Sequence, residues 1–200
     1  QRRVAITGLG LVTPVGNDVA STWNALLGGR SGAARIASFD ASGFAVRIAA
    51  EVKGLDDATV LRAAGQRKLL KLANRSHRFA LVAAAQALAD AGIRPTPASA
   101  ARWGCVVGTG MMGVSYDELA QLQREAAPGG ELDPLQLLQA QGAAADPLVF
   151  CRSNSAGGAA LLARVFGIEG YSSSVHPARA SGGQAVGTAL KLIRRGQADR

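Results

Sequence analysis

Along this chain short apolar runs alternate with longer stretches whose apolar residues recur every three or four positions. Residues 4–7, Val-Ala-Ile-Thr, predict a buried strand that closes at Gly8. The glycine-punctuated stretch 8–16 reads as a loop. Over 18–27, Val19, Trp23, Leu26 and Leu27 fall at helical spacing, and Gly28-Gly29 ends the helix. Residues 44–52 alternate apolar and polar and predict a strand. A long alanine-rich helix is predicted over 75–91, stopped by Gly92 and then Pro95. Residues 104–108, Gly-Cys-Val-Val-Gly, predict another buried strand, running into the turn 109–113. A helix follows over 116–125. Residues 126–146 form a polar, alanine-rich excursion, with Pro128, Pro134 and Pro147 in and after it. A small-residue helix is predicted over 153–166, a short strand over 171–175, and a helix over 181–195 with Val186, Ala189, Leu190 and Ile193 on one stripe.

Strands that alternate with helices, and that read as continuous apolar runs, predict an α/β protein with a mostly parallel sheet covered by helices on both faces. The length of 200 residues fits one sizeable core, hence one domain. Composition agrees: 48% hydrophobic and 18% charged residues exclude a disordered chain. Aromatic residues, at 4%, are too few for a platform that stacks single-stranded nucleic acid. The net charge is +8, from 22 basic and 14 acidic residues, with loose clusters over 62–78 and at Arg194, Arg195 and Arg200. Two readings stand: a solvated basic surface, or attraction to an acidic partner such as a carrier protein. Neither zinc-finger spacing nor a basic helix joined to a heptad zipper is present, so no nucleic-acid partner is expected. Cys105 and Cys151 are too few for a disulfide framework and fit a reducing cytoplasm. Gln1-Arg2-Arg3 leads straight into an apolar run, so no signal pattern is read there. No apolar run reaches the ~18 residues that span a bilayer. A cytoplasmic protein without a membrane partner is expected.

The strand followed by Gly8-x-Gly10 invites a dinucleotide-binding reading, but the third glycine of that fingerprint is Thr13 and Pro14 follows it. Proline there prevents a helix from starting where a pyrophosphate needs its N–H groups. No cofactor is expected, and no metal.

Several motifs in order carry a family resemblance. They are Arg2-Arg3-Val4-Ala5-Ile6-Thr7-Gly8-Leu9-Gly10-Leu11-Val12-Thr13-Pro14-Val15-Gly16-Asn17, then residues 22–32 (Thr-Trp-Asn-Ala-Leu-Leu-Gly-Gly-Arg-Ser-Gly) and Phe39-Asp40. Further on come Gln86-Ala87-Leu88-Ala89-Asp90-Ala91-Gly92-Ile93, Val106-Val107-Gly108-Thr109-Gly110, Ser181-Gly182-Gly183-Gln184-Ala185-Val186-Gly187 and Ile193-Arg194-Arg195-Gly196-Gln197-Ala198-Asp199. The sequence resembles the elongating β-ketoacyl-ACP synthases from residue 2 to residue 200, most loosely over 126–146. The resemblance implies the thiolase-like fold, layered α-β-α-β-α, of which residues 1–200 would be the N-terminal half.

That family places a cysteine just before a helix, in the pattern Ala-Cys-x-Ser-Gly. A thiol at a helix N-terminus is held toward the thiolate by the helix dipole, and the thiolate takes the acyl chain as a thioester. Here the stretch reads His176-Pro177-Ala178-Arg179-Ala180-Ser181-Gly182, and Ser181-Gly182 sets Arg179 in the cysteine position. An arginine remains protonated and is no nucleophile. It either fills a dead pocket and pairs locally, or reshapes the acyl channel or the contact with a partner subunit. Because the dipole disfavours a cation there, a carboxylate or open solvent is expected beside it. Ser181 reads as a helix cap, Cys105 as a core residue and His176 as structural; none is assigned the nucleophile's role. In the resemblance Met111 and Met112 border the acyl-chain pocket near the dimer interface, where flexible side chains suit an adaptable channel; plain core filling is the alternative. Asn74 stands where related sequences commonly carry aspartate.

The resemblance thus implies a catalytically degenerate ketosynthase-like subunit, similar to chain-length factors, that pairs with an active ketosynthase paralogue and meets acyl carrier protein. The alternative is an active β-ketoacyl-ACP synthase or malonyl-ACP decarboxylase with a non-standard site. A third is a scaffold that docks carrier protein by its basic surface.

Overall fold

The computed structural model describes residues 3–110, 113–127, 130, 131, 133–136, 139 and 147–200. Met111 and Met112 lie outside the described residues, as does much of the excursion over 126–146. The elements are α1 (Val19–Leu27), β1 (Ala33–Arg35), β2 (Ile48–Ala50), α2 (Asp57–Ala64), α3 (Arg75–Ala91), β3 (Cys105–Gly108), α4 (Tyr116–Ala126), α5 (Pro147–Ser153), α6 (Gly157–Phe166), β4 (Ser172–Val175) and α7 (Ser181–Arg194). Single 3-10 turns occupy Arg67–Leu72, Ala100–Arg102 and Ala178–Ala180. None of the helices is long and apolar enough to cross a membrane among the described residues.

β3 and β4 pair in parallel, with Cys105 opposite Ser172 and Gly108 opposite Val175. α6 and α7 both pack on this pair, and α3 packs on α6 and α2. The core sits where these helices meet. Leu81 of α3 is fully buried among Ala64, Ala73, Leu161 and Leu162, with Val107, Val165 and Phe166 packed around them. Full burial of such a leucine stabilises the fold by about 1.5–3 kcal/mol. α3 starts cleanly because the Asn74 side chain accepts the His77 N–H while the His77 ring accepts the Asn74 N–H. It stops at Gly92, whose φ of 65° is the left-handed conformation that glycine adopts without strain.

Three expectations change. Residues 4–7 join no strand of either two-stranded sheet. Their continuation lies across α3 instead, with the Leu9 N–H donating to the Asp90 carboxylate at 2.9 Å and the Leu11 N–H to Gln86 Oε1 at 3.0 Å. Gly10 allows this approach, because a Cβ there would overlap the Ala83 carbonyl. Ile6 is left 77% exposed.

The predicted strand over 44–52 shrinks to Ile48–Ala50, antiparallel to Ala33–Arg35. Phe44 turns instead toward Phe39 and Tyr116, whose own rings stack at 4.4 Å. The helix over 153–166 starts only at Gly157, because the Asn154 side chain accepts the Ala156 N–H and its carbonyl accepts the Gly157 N–H.

The helix α1 forms where its spacing predicts it, and its large apolar side chains face outward, with Trp23 60% and Leu27 70% exposed. The buried positions are Thr22 and Ala25. The Thr22 hydroxyl binds the Gly16 carbonyl at 3.2 Å and meets the Thr13 hydroxyl at 3.1 Å, which fixes the opposite face inward.

Candidate functional site

β3 and β4 end side by side, and the Thr109 N–H donates to the Val175 carbonyl at 3.0 Å, so both chains leave the sheet at one level. After β4 the backbone bends through His176 and Pro177 into the turn Ala178–Ala180 and then enters α7. Ala178 has φ 50°, the one positive value among the non-glycine residues described. A side chain in that region is disfavoured, and such positions are held only where the surroundings fix them. Ser181 supplies part of that restraint. Its buried hydroxyl lies 2.8 Å from the Thr109 carbonyl and also reaches the Ala178 carbonyl. Gly108 supplies the rest: a Cβ there would overlap the Ser181 carbonyl and come within 2.8 Å of the Gly182 nitrogen. Only a glycine at the end of β3 lets α7 start this close to the sheet.

Ser181 therefore differs from the cap expected of it. It is the first residue of α7, and Ala180 precedes the helix with no side-chain hydrogen bond to its N–H groups. The serine hydroxyl is spent on carbonyls and ties α7 to the turn after β3.

Arg179 stands in the middle of the bend, exposed, and makes no hydrogen bond or ion pair among the described residues. Solvent, rather than a carboxylate, compensates for a cation placed before a helix N-terminus. His176 is exposed on the approach.

The two thiols lie apart from this bend in the fold. Cys151 is exposed on α5 and Cys105 is largely buried in β3. Burial pushes the Cys105 thiol up to about 11. At pH 8 about one such thiol in a thousand is ionised. A disulfide reagent under native conditions is therefore expected to modify Cys151 and spare Cys105. Rapid modification of both, read by mass, would contradict this burial.

A second group of polar residues gathers where α3 and α4 begin. The Asn74 amide donates to the Arg152 carbonyl at 2.7 Å and approaches the Gly113 carbonyl at 3.5 Å. The Arg152 guanidinium meets Glu118 of α4 at 3.2 Å. Hydrogen bonds from Ser115, foremost, and this arginine hold the Glu118 carboxyl below its ordinary range. Together with Ser76, Phe39 and Tyr116 these residues line a cavity of about 400 Å³. Sequence reasoning noted Asn74 but missed Arg152, which carries no motif and acquires its role from partners 34 and 78 positions away. An aspartate at 74 could still cap α3 but could not donate to Arg152. Asn74→Asp is expected to lower stability by about 1 kcal/mol, the lost hydrogen bond outweighing the gain from a charge at the helix N-terminus. Urea denaturation measures it, and an unchanged midpoint would show that the amide donor is idle.

Parallel strands that end together beneath a strained bend, with a helix N-terminus directly behind it, are the arrangement expected of a chain of the thiolase-like class. The profile of the beta-ketoacyl synthase N-terminal domain matches residues 1–200. The chain belongs to the β-ketoacyl synthase family. It is 32% identical to the 3-oxoacyl-[acyl-carrier-protein] synthase 2 of Synechocystis sp. over 198 residues, 99% of this chain and 44% of that protein. Among solved structures, the ishigamide ketosynthase/chain length factor superposes with a TM-score of 0.74 at 27% identity, covering 96% of this chain and 44% of the other. A type II polyketide acyl-carrier protein in complex with its ketosynthase, bound to the hexaketide, gives a TM-score of 0.64 at 25% identity, covering 98% of this chain and 43% of that one. The chain therefore has the ketosynthase form of the thiolase-like fold, and spans less than half the length of the relatives it matches.

Proposed function

We propose that the chain is a ketosynthase-like subunit without a nucleophile of its own. It pairs with an active β-ketoacyl-ACP synthase and shapes the pocket in which a fatty-acid or polyketide chain is extended. The partner supplies the thiolate and holds the growing acyl group as a thioester. Malonyl-ACP loses carbon dioxide, and the resulting carbanion attacks that thioester carbonyl. The new carbon–carbon bond forms as the partner's thiolate leaves.

The observation that carries this reading is Arg179. The bend around it keeps the setting that favours a thiolate, namely the end of two parallel strands and an uncapped helix N-terminus. A group that cannot attack a thioester stands in it. The likeness to a ketosynthase/chain length factor supports a paired subunit. So does the exposed apolar face of α1, since large apolar patches on a soluble fold usually mark covered surface.

An acidic carrier protein has a matching surface. A groove of about 650 Å³ between α2 and the turn Arg67–Leu72 is lined by Arg67, Lys68, Lys71, Arg78 and Arg152, with Asp57 the one carboxylate on it among the described residues. Such a surface steers an acidic partner and loses its pull as salt rises.

Co-expression with the cysteine-bearing paralogue tests the assignment. The two chains are expected to purify as one complex. A stable homodimer that ignores the paralogue would overturn it.

A further inference from the structure

We infer that His77 is a proton-operated latch on the junction of α3, α5 and α6, closed when its ring is neutral and open when the ring is charged. The geometry of the cap requires it. The His77 Nδ1 lies 3.4 Å from the Asn74 nitrogen and accepts that N–H, while the Asn74 carboxamide oxygen accepts the His77 N–H at 2.8 Å. A protonated ring carries a hydrogen on both nitrogens and can accept nothing. Charging His77 therefore turns an acceptor into a donor that faces another donor, and half of the capping box is lost.

The loss does not remain local. Asn74 is the residue whose amide holds the Arg152 carbonyl of α5 at 2.7 Å, and it lies on the wall of the 400 Å³ cavity at the start of α4. The ring itself is wedged against α6: a Cβ on Gly157 would come within 3.2 Å of it and one on Gly158 within 3.1 Å. Two glycines give the imidazole a flat seat on the first turn of α6, a turn with no side-chain cap. An imidazolium would therefore sit between two helix N-termini, both positive.

The other charges nearby offer it little. On its own helix are Arg75 and Arg78. The turn before α3 brings Lys71, and α5 brings Arg152; α6 brings no charged residue in its first turn. The carboxylates on these helices are Asp57 of α2, Asp90 of α3 and Asp117, Glu118 and Glu125 of α4; Asp57 and Glu118 are already paired with Arg78 and Arg152 at 2.8 and 3.2 Å, and Asp90, near the far end of α3, accepts the Leu9 N–H. Burial, opposed only in part by the Leu72 carbonyl, holds His77 below the ordinary histidine value. The sign follows. The open or unfolded chain takes up the proton first as pH falls below that ordinary value. Closure is thus fully favoured at neutral pH and is lost progressively as pH falls through the depressed value.

Amide hydrogen exchange over residues 74–78 of the full chain, compared at pH 7.5 and pH 5.5 as protection factors, tests the latch. Protection is expected to fall about fivefold on acidification, the usual worth of one cap. His77→Gln provides the control, because glutamine at this position keeps an acceptor for the capping box and does not titrate. Its protection is expected to hold across the same range. An equal fall in both proteins would overturn the proposal. So would a His77 ring resonance that titrates at the ordinary histidine pH while protection stays constant. The ring titration needs only the unmodified chain, and decides the matter even if the variant fails to fold.

Discussion

Arg179→Cys is expected to turn a chain that takes up no acyl group at its bend into one that does. The experiment is made in a Cys151→Ser background, which removes the exposed thiol and leaves only the half-buried Cys105. The position already has what a nucleophilic thiol needs. It is exposed, it precedes the 14-residue helix α7, and no side chain competes for the N–H groups at the start of that helix. The dipole of such a helix acts as roughly half a positive charge at its N-terminus, which favours a thiolate over a thiol. The same field works against the arginine that stands there now. Incubation with an acyl thioester, followed by intact-mass measurement, should show a single added acyl group on Arg179→Cys and none on the Cys151→Ser parent. Arg179→Ser separates the thiol from the mere removal of a cation. If Arg179→Cys labels no more than Arg179→Ser, the bend has lost more than its sulfur, and the reading of a preserved but disarmed site fails.

How much of this was legible beforehand depends on whether the signal was local. The long helix α3 was, because Asn74, the alanine-rich repeat and Gly92 each act within a turn of their own position. The order of β3, β4 and α7 was also legible, since Val106-Val107-Gly108 and Ser181-Gly182 carry it in consecutive residues. What escaped was set by partners far along the chain. Residues 4–7 have the composition of a strand, but a strand forms only where another edge accepts its backbone, and here Gln86 and Asp90 take the amides of Leu11 and Leu9. The stripe on α1 was sound as a helix signal and carried no information on which face is buried. Thr22 rather than Trp23 lies inward, its hydroxyl placed between the Gly16 carbonyl and the Thr13 hydroxyl. The helices α2 and α5 were not anticipated; α2 is short, and its Asp56 cap and Gly65 stop enclose only eight residues. At the site, Arg179 was found from the register of one motif. The positive φ of Ala178 and the bridging of Arg152 have no sequence signature, since the first is imposed by the surroundings of a residue that disfavours it and the second by partners far along the chain.

Gly108 joins the fold to the site, and two neighbouring glycine substitutions measure how firmly. Gly108→Ala places a methyl against the Ser181 carbonyl and within 2.8 Å of the Gly182 nitrogen. Both are backbone atoms and cannot rotate aside, so α7 must move as a body. Overpacking of this kind typically costs about 1–3 kcal/mol and occasionally more, and moving α7 also breaks the Ser181–Thr109 hydrogen bond, worth about 1 kcal/mol. A loss of about 3 kcal/mol is expected, a large part of the stability of any domain this size. Gly182→Ala is the contrast. It lies in the first turn of α7, and a Cβ there meets nothing within 4 Å. Replacing a helical glycine with open space around it should stabilise by about 0.5–1 kcal/mol, mainly by restricting the unfolded chain. The two changes add the same methyl group and should shift a denaturation midpoint in opposite directions. The same pair bears on Arg179→Cys: acylation should survive Gly182→Ala and be lost with Gly108→Ala, because the closeness of α7 to the end of β3, and not the helix alone, places its N–H groups behind the bend.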